Sequence, residues 1–256
     1  MRPLLFALVA LFLCSASWAE SPFDGTWKLN TARSHLAGDT MSLEDAGGGK
    51  LKYTDSDQSY SFAPDGSSFT TPVGLERTFK KNSDGTYTTT NKKNGLLIST
   101  GTWKLSSDGN TLLIELKGTK PNGDTFDNLT TYARTSPGMG LVGGWKSTEV
   151  KLSSPNSLTF ETNGNDVTLS LAAIKAISHA KCDGKDYPAT GPTVPDGLTL
   201  SLTRTGPKSC KLVEKSKSKV LVIIHYQVAD DGKTMSAEGT NGQGKEPFSE
   251  VFDKQT

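Results

Sequence analysis

The sequence predicts an all-β protein made of two tandem antiparallel up-and-down β-barrels. Short runs that are apolar or alternate with polar residues, such as Val167–Leu171 and Leu198–Leu202, recur along the chain. Asp-Gly and Asn-Gly pairs separate these runs, and such pairs favour the tight turns of β-hairpins. Long helical periodicity is absent; Leu171–Ile177 is the best helical candidate, and a strand there is equally compatible with its neighbours.

An internal repeat sets the number of barrels. Four short blocks return in the same order in the second half of the chain, and an internal duplication of this kind indicates two copies of one structural unit. We therefore predict one barrel in residues 20–135 and a second in residues 141–256, since closure into a barrel removes the free edges of each meander. The paired blocks are Phe23–Lys28 with Leu141–Lys146, Asp65–Phe69 with Asp183–Tyr187, Trp103–Thr111 with Tyr226–Thr234, and Thr131–Arg134 with Val251–Lys254.

Residues 1–19 are predicted to be a signal peptide. Arg2 is followed by the apolar run Leu4–Leu13, and Ser17-Trp18-Ala19 supplies small residues at a cleavage site. The run is too short to cross a bilayer, and no later segment is longer. We therefore expect an exported, periplasmic or extracellular protein without a transmembrane segment. A lipid anchor at Cys14 is disfavoured, because the bulky Leu13 precedes that cysteine.

The charge balance excludes some partners. The chain has 28 basic and 27 acidic residues, and removal of Arg2 with the leader leaves 27 of each. A nucleic-acid-binding protein needs a basic surface, and strong attraction to an anionic membrane needs excess positive charge. We therefore expect neither nucleic acid nor an anionic membrane surface as the partner.

The two cysteines of the mature chain are Cys182 and Cys210. An even pair in an exported protein predicts a disulfide. The alternative is a zinc site in which His179 and His225 join the two sulfurs. The disulfide is the preferred interpretation, and the sequence predicts no metal and no cofactor.

Both halves resemble lipocalin-like (calycin) domains. The first half opens with Asp24-Gly25-Thr26-Trp27 and closes with Tyr132-Ala133-Arg134, and the second runs from Gly143-Gly144-Trp145 to Phe252-Asp253-Lys254. The chain is similar to tandem lipocalin-like proteins that bacteria secrete, most of which have no assigned function.

The resemblance implies a structural plug at the closed end of each barrel. In such domains the tryptophan of the first strand packs under a basic residue of the last strand, as a cation–π contact. It thus implies that Trp27 pairs with Arg134 and that Trp145 pairs with Lys254. Lys254 departs from the usual arginine, so the second plug is expected to be looser.

The leading functional hypothesis is a non-catalytic protein that binds a small apolar or amphipathic ligand in one or both barrels. The resemblance implies such a ligand, and the aromatic candidates to contact it are Tyr60, Phe62, Phe69 and Tyr187. Tyr60, Phe62 and Phe69 could instead fill the core of the first barrel, which is the preferred interpretation. The Pro-rich loop 183–195 is a candidate rim of a barrel mouth, although a purely structural loop is the preferred interpretation. The first alternative is a structural or protein-interaction module whose barrels are filled by side chains.

An enzyme with a site at a barrel mouth is the third hypothesis. A buried polar cluster around His179 or His225 would support it. Ser178 and Lys181 match a Ser-x-x-Lys pattern, but the further motifs of acyl enzymes are missing and a chain rich in Ser and Lys produces such matches by chance. The sequence therefore predicts no catalytic residues.

Overall fold

The computed structural model describes residues 21–56, 58–242, 244 and 247–256. The predicted signal peptide 1–19 and Cys14 lie outside the described residues. The described residues form twenty strands and one 3₁₀ turn, Ala172–Ile174. The strands of the first half are β1 (Gly25–Leu29), β2 (Thr40–Gly47), β3 (Lys50–Thr54), β4 (Ser59–Phe62), β5 (Asp65–Thr70), β6 (Glu76–Lys81), β7 (Tyr87–Lys93), β8 (Leu96–Leu105), β9 (Thr111–Thr119) and β10 (Thr125–Arg134). Those of the second half are β11 (Gly143–Lys151), β12 (Ser157–Asn163), β13 (Asp166–Leu171), β14 (Ala176–Lys181), β15 (Tyr187–Thr190), β16 (Leu198–Gly206), β17 (Ser209–Ser216), β18 (Lys219–Val228), β19 (Thr234–Asn241) and β20 (Phe248–Lys254).

The strands form two ten-stranded antiparallel sheets, which confirms the predicted all-β, up-and-down fold. The first sheet has the order β4-β3-β2-β11-β10-β9-β8-β7-β6-β5. The second is a closed barrel with the order β1-β12-β13-β14-β15-β16-β17-β18-β19-β20. The candidate helix Leu171–Ile177 contains only the 3₁₀ turn, flanked by the ends of β13 and β14.

The first strand of each half lies in the sheet of the other half. β1 pairs with β12 and β20, so that Trp27 lies opposite Leu158 and Lys254. β11 pairs with β10 and β2, so that Trp145 lies opposite Arg134 and Met41. A short connection makes β10 and β11 a hairpin, which is the usual arrangement of consecutive antiparallel strands. β11 then occupies the place beside β2, and β1 fills the remaining gap in the second barrel, so the pairing crosses the predicted boundary at residues 135–140.

Because the first strands are exchanged, each plug combines a tryptophan from one half of the chain with a basic residue from the other half. The Arg134 guanidinium lies 4.2 Å from the centre of the Trp145 ring, and Lys254 Nζ lies 5.3 Å from that of Trp27. The predicted pairs, Trp27 with Arg134 and Trp145 with Lys254, are therefore wrong, although the kind of contact is as predicted. The lysine contact is also the longer one.

The glycine of each Gly-x-Trp block makes room for the basic residue of its plug. A Cβ on Gly143 would lie 2.5 Å from Arg134 Nη1, and a Cβ on Gly25 would lie 2.9 Å from Lys254 Cε. Both glycines also have φ in the left-handed region, at +136° and +114°, where other residues are strained. The motif is thus explained by close packing around the plug.

Each sheet encloses its own apolar core. Trp27 and Trp145 are fully buried, and each indole N–H donates to the carbonyl four residues earlier, of Phe23 at 2.7 Å and of Leu141 at 3.0 Å. Buried tryptophans with a satisfied N–H contribute large apolar areas without an unpaired donor. The two cores therefore depend on tryptophans supplied by the opposite half.

Candidate functional site

The strongest candidate site is a cleft between the two sheets, which we call the inter-barrel cleft. Its volume is about 630 Å³, within the range of pockets that bind small molecules. Two hairpin tips of the first sheet form one wall, and the β11–β12 connection with two turns of the second barrel forms the other. The lining residues are Leu96, Leu97, Ile98, Thr119, Lys120, Pro121, Phe126, Asn128, Leu152, Ser154, Asn156, Ile174, Lys175, Pro192 and Thr193.

The apolar wall begins at the β7–β8 hairpin. Asn94 and Gly95 both have positive φ, at 51° and 78°, as a two-residue hairpin turn requires. The turn presents Leu96 and Leu97, whose side chains are 63% and 56% exposed. Two adjacent exposed leucines beside a cavity form an apolar patch of the kind that marks a binding surface.

Direct hydrogen bonds hold the walls of the cleft together. The Asn122 N–H, at the tip of the β9–β10 hairpin, donates to the carbonyl of Ala173 at 3.3 Å. Lys120 Nζ donates to the carbonyl of Ser154 at 2.6 Å, to Ser154 Oγ at 3.1 Å and to Asn156 Oδ1 at 3.0 Å. Burial lowers the pKa of Lys120, and nearby Asp124 acts in the opposite direction. These hydrogen bonds connect the β9–β10 hairpin of the first sheet to the opposite wall, and so they fix the position of the two walls relative to each other.

Part of the predicted Pro-rich rim borders this cleft. Pro192 and Thr193 contribute to its lining, and Val194 is buried. The loop was predicted to lie over a barrel mouth, whereas Pro192 and Thr193 face the first sheet across the cleft. The leucines after Asn94-Gly95 were missed, although an apolar pair directly after a tight turn was a visible signal.

Three of the predicted ligand-binding aromatics meet inside the first sheet. Phe62 stacks on Phe69 with ring centres 5.2 Å apart, and Tyr60 lies 5.7 Å from Phe69. Phe62 also packs against Phe79 at 4.9 Å, and the Tyr60 hydroxyl accepts a hydrogen bond from Arg77 Nη1 at 2.6 Å. These rings join β4 to β5, which end the sheet on either side without pairing. They pack on one another and do not line the inter-barrel cleft.

Tyr187 lies apart from the other three, on β15 of the second barrel. Its hydroxyl donates to Asp183 Oδ2 at 3.0 Å. A hydrogen bond from the Lys185 backbone N–H, together with this contact, lowers the pKa of Asp183. The arrangement fixes the turn that leads into β15.

The predicted disulfide between Cys182 and Cys210 is wrong, because both are free thiols. Strand β16 runs between them: Asp183, next to Cys182, bridges to Thr203 of β16. On the other side of that strand, Cys210 pairs with Arg204. Two strand spacings separate Cα atoms by about 10 Å, beyond the roughly 7 Å that a disulfide can span. Burial raises the pKa of the Cys210 thiol to about 12, which keeps it protonated and unreactive.

The structure does not bring together Ser178 and Lys181, or the histidines and cysteines of the alternative zinc site. The Ser178 hydroxyl points into the second barrel and has no hydrogen-bond partner, whereas Lys181 lies outside and forms an ion pair with Asp166. His179 is exposed, with Nδ1 3.0 Å from Thr168 Oγ1. Among the described residues, no group of three or more His, Cys, Asp or Glu side chains is arranged to hold a metal.

His225 lies in a second pocket, on the outer face of the second barrel. It is opposite Glu238 across β18 and β19, and His35 lines the same pocket of about 560 Å³. This pocket also includes Glu238 among its lining residues. It gathers two histidines and a carboxylate on a surface, not in a buried cluster at a barrel mouth.

Glu250 is a partly buried carboxylate of the second barrel. It lies opposite the buried Ala237, and burial raises its pKa. A folded-state pKa above the unfolded value means that the native state holds the proton more tightly, so stability falls as pH rises through the folded pKa.

We expect Glu250→Gln to increase the free energy of unfolding at pH 8 and to flatten its decline between about pH 5 and pH 8. Urea denaturation across this range measures both effects. Glu161→Gln, at an exposed position of the same barrel, is the control, and an equal pH dependence in Glu250→Gln and wild type would contradict the assignment.

The fold and the cleft define a class of protein: an all-β chain of two antiparallel barrel-like sheets with a largely apolar cleft between them. No model of a known protein family matches the chain, and no curated protein matches it significantly. None of the described residues belongs to a helix with the length and apolar character needed to cross a membrane.

Proposed function

We propose that this chain is an exported, non-catalytic protein of the tandem lipocalin-like type that binds a small apolar or amphipathic ligand in the inter-barrel cleft. The observation that carries the proposal is the cleft of about 630 Å³ with leucines at its wall. Export rests on the leader sequence. The proposed binding site thus lies between the barrels, whereas the sequence had predicted a site inside them.

The filled interiors are the reason for this relocation. The fully buried side chains include Trp27 and Phe160 in the second barrel and Trp145 and Phe79 in the first sheet. Interiors packed in this way hold large side chains where a ligand would have to enter. The cleft, in contrast, has exposed apolar side chains in its lining, Leu96 and Leu97.

A neutral apolar probe tests the cleft directly. We expect N-phenyl-1-naphthylamine to bind the purified mature chain with an increase in fluorescence. Leu97→Glu should weaken this binding by at least about tenfold, because a carboxylate in an apolar site must be desolvated when the probe binds. The matched control is Leu113→Glu, which changes another partly exposed leucine of the first sheet, one that does not line the cleft.

Equal binding by wild type and Leu97→Glu would place the probe elsewhere and contradict the proposal. No binding at all would favour the interaction module, with Leu96 and Leu97 as part of a protein-contact surface. Native mass spectrometry of the exported protein completes the test, since an adduct that disappears on denaturation identifies the class of the natural ligand.

A further inference from the structure

The charged residues that line the inter-barrel cleft are both basic. Lys120 and Lys175 lie among its lining residues, and no aspartate or glutamate does. Nearby lysines outside the cleft have acidic partners: Lys117 contacts Glu115 and Asp127, and Lys151 contacts Glu149. The lining of the cleft thus carries positive charge without a carboxylate.

The Lys120 ammonium is held in its charged form by neutral acceptors. Its three hydrogen bonds go to one backbone carbonyl, one hydroxyl and one amide oxygen. An ammonium has three N–H donors, one for each of these three oxygens. Since none of these acceptors carries a formal charge, the positive charge of Lys120 remains available to an anion in the cleft.

Lys175 completes the pair from the opposite wall. Its side chain is exposed at the rim, and within the described residues its ammonium has neither a hydrogen bond nor an ion pair. Its backbone lies in the left-handed region, with φ 51° and ψ 35°, directly after the 3₁₀ turn. Glycine or asparagine is usual at such a position. A lysine therefore occupies a position that local backbone preference does not favour, beside an apolar cavity.

We propose that the cleft selects single-chain amphiphiles with an anionic head group, whose chain lies against Leu96 and Leu97 and whose head contacts Lys175 in the field of Lys120. This inference rests on the proposed function of the cleft. It adds the chemical class of the ligand: a long-chain carboxylate or sulfate monomer. Charge complementarity supplies the selectivity, and the apolar wall supplies most of the affinity.

Dodecanoate and dodecan-1-ol have the same chain length and differ in their head groups, so comparing them measures the contribution of the head group to affinity. We expect dodecanoate to displace N-phenyl-1-naphthylamine at roughly tenfold lower concentration than dodecan-1-ol, with both below their aggregation limits. Lys175→Asn should remove this preference, so that dodecanoate and dodecan-1-ol displace the probe at similar concentrations. Asparagine tolerates the left-handed backbone, so the variant is expected to fold. Lys175→Arg keeps the charge and should retain the preference, and Lys151→Asn is the control for loss of a lysine outside the cleft.

The outcomes distinguish the two proposals. Equal displacement by dodecanoate and dodecan-1-ol would overturn the anionic selectivity and leave the cleft as an apolar site. Failure of both to displace a probe whose binding depends on Leu97 would overturn the amphiphile assignment and leave the apolar site standing, whereas a probe that does not bind at all would contradict both proposals. Flotation with phosphatidylglycerol vesicles tests the source of the anion, since protein that floats with the vesicles through Lys175 would overturn the assignment of a monomeric ligand in favour of a lipid surface.

Discussion

The C-terminal half produced alone, as residues 141–256, is expected not to fold cooperatively. Without β1 the second barrel loses the strand between β12 and β20, and with it the buried Trp27 and Leu29. The same fragment carries β11, whose partners β2 and β10 are absent. It therefore has two unpaired edges around the gap and one strand, β11, without a sheet, which favours aggregation. Urea denaturation followed by tryptophan fluorescence, with gel filtration, measures the outcome.

A rearranged chain is the matched control. It consists of residues 152–256, a short Gly-Ser linker and residues 21–38, so that β1 follows β20. The backbone N–H of Gln255 donates to the carbonyl of Thr26 at 2.8 Å, which shows that the chain end lies beside β1 and that a short linker suffices. We expect this chain to unfold in one cooperative transition. A cooperative transition in residues 141–256 would contradict the strand exchange and favour two domains that are contiguous in sequence.

The sequence predicts the strands well and the exchange not at all, because β1 and β11 are chemically alike. Both present a glycine, a tryptophan and a lysine in the same spacing. The tryptophan of either strand could therefore pack under the basic residue of either sheet. Connection geometry decides the matter: β11 follows β10 directly and pairs with it, whereas residues 30–39 carry the chain from β1 across to β2. A pattern that identifies plug residues therefore cannot identify their partners.

Neither the separation of the two cysteines nor the cleft could be predicted from the sequence, because both depend on which strands and turns are neighbours in the fold. Loop length between Cys182 and Cys210 is compatible with a disulfide, and only the strand register reveals that β16 separates them. The cleft is assembled from hairpin tips and turns of both sheets, and its two lysines are distant in sequence. Spacing within one strand predicts which residues share a face, but it carries no information on which turns of two sheets meet.

Truncation of either plug tryptophan is expected to damage the sheet of the opposite half. Trp27→Ala removes a fully buried indole from the core of the second barrel, where Lys254 covers it. Such a change typically costs about 3–5 kcal/mol, a large part of the stability of a domain. Hydrogen exchange followed by mass spectrometry should show loss of amide protection in β12 to β20. Protection in β5 to β9 of the first sheet should remain close to wild type, although β1 belongs to the first half of the sequence.

Trp145→Ala is the reciprocal variant and serves as the control. Its ring lies in the core of the first sheet under Arg134, so protection should fall in β5 to β9 and persist in β16 to β19. Arg134 donates hydrogen bonds to three carbonyls, of Gly109, Gly140 and Val142, whereas the Lys254 plug is held by a longer cation–π contact. The loss of amide protection should therefore extend over more strands of the second barrel in Trp27→Ala than of the first sheet in Trp145→Ala. If each variant instead lost protection in its own half of the sequence, the plugs would lie within contiguous domains and the exchanged pairing would be refuted.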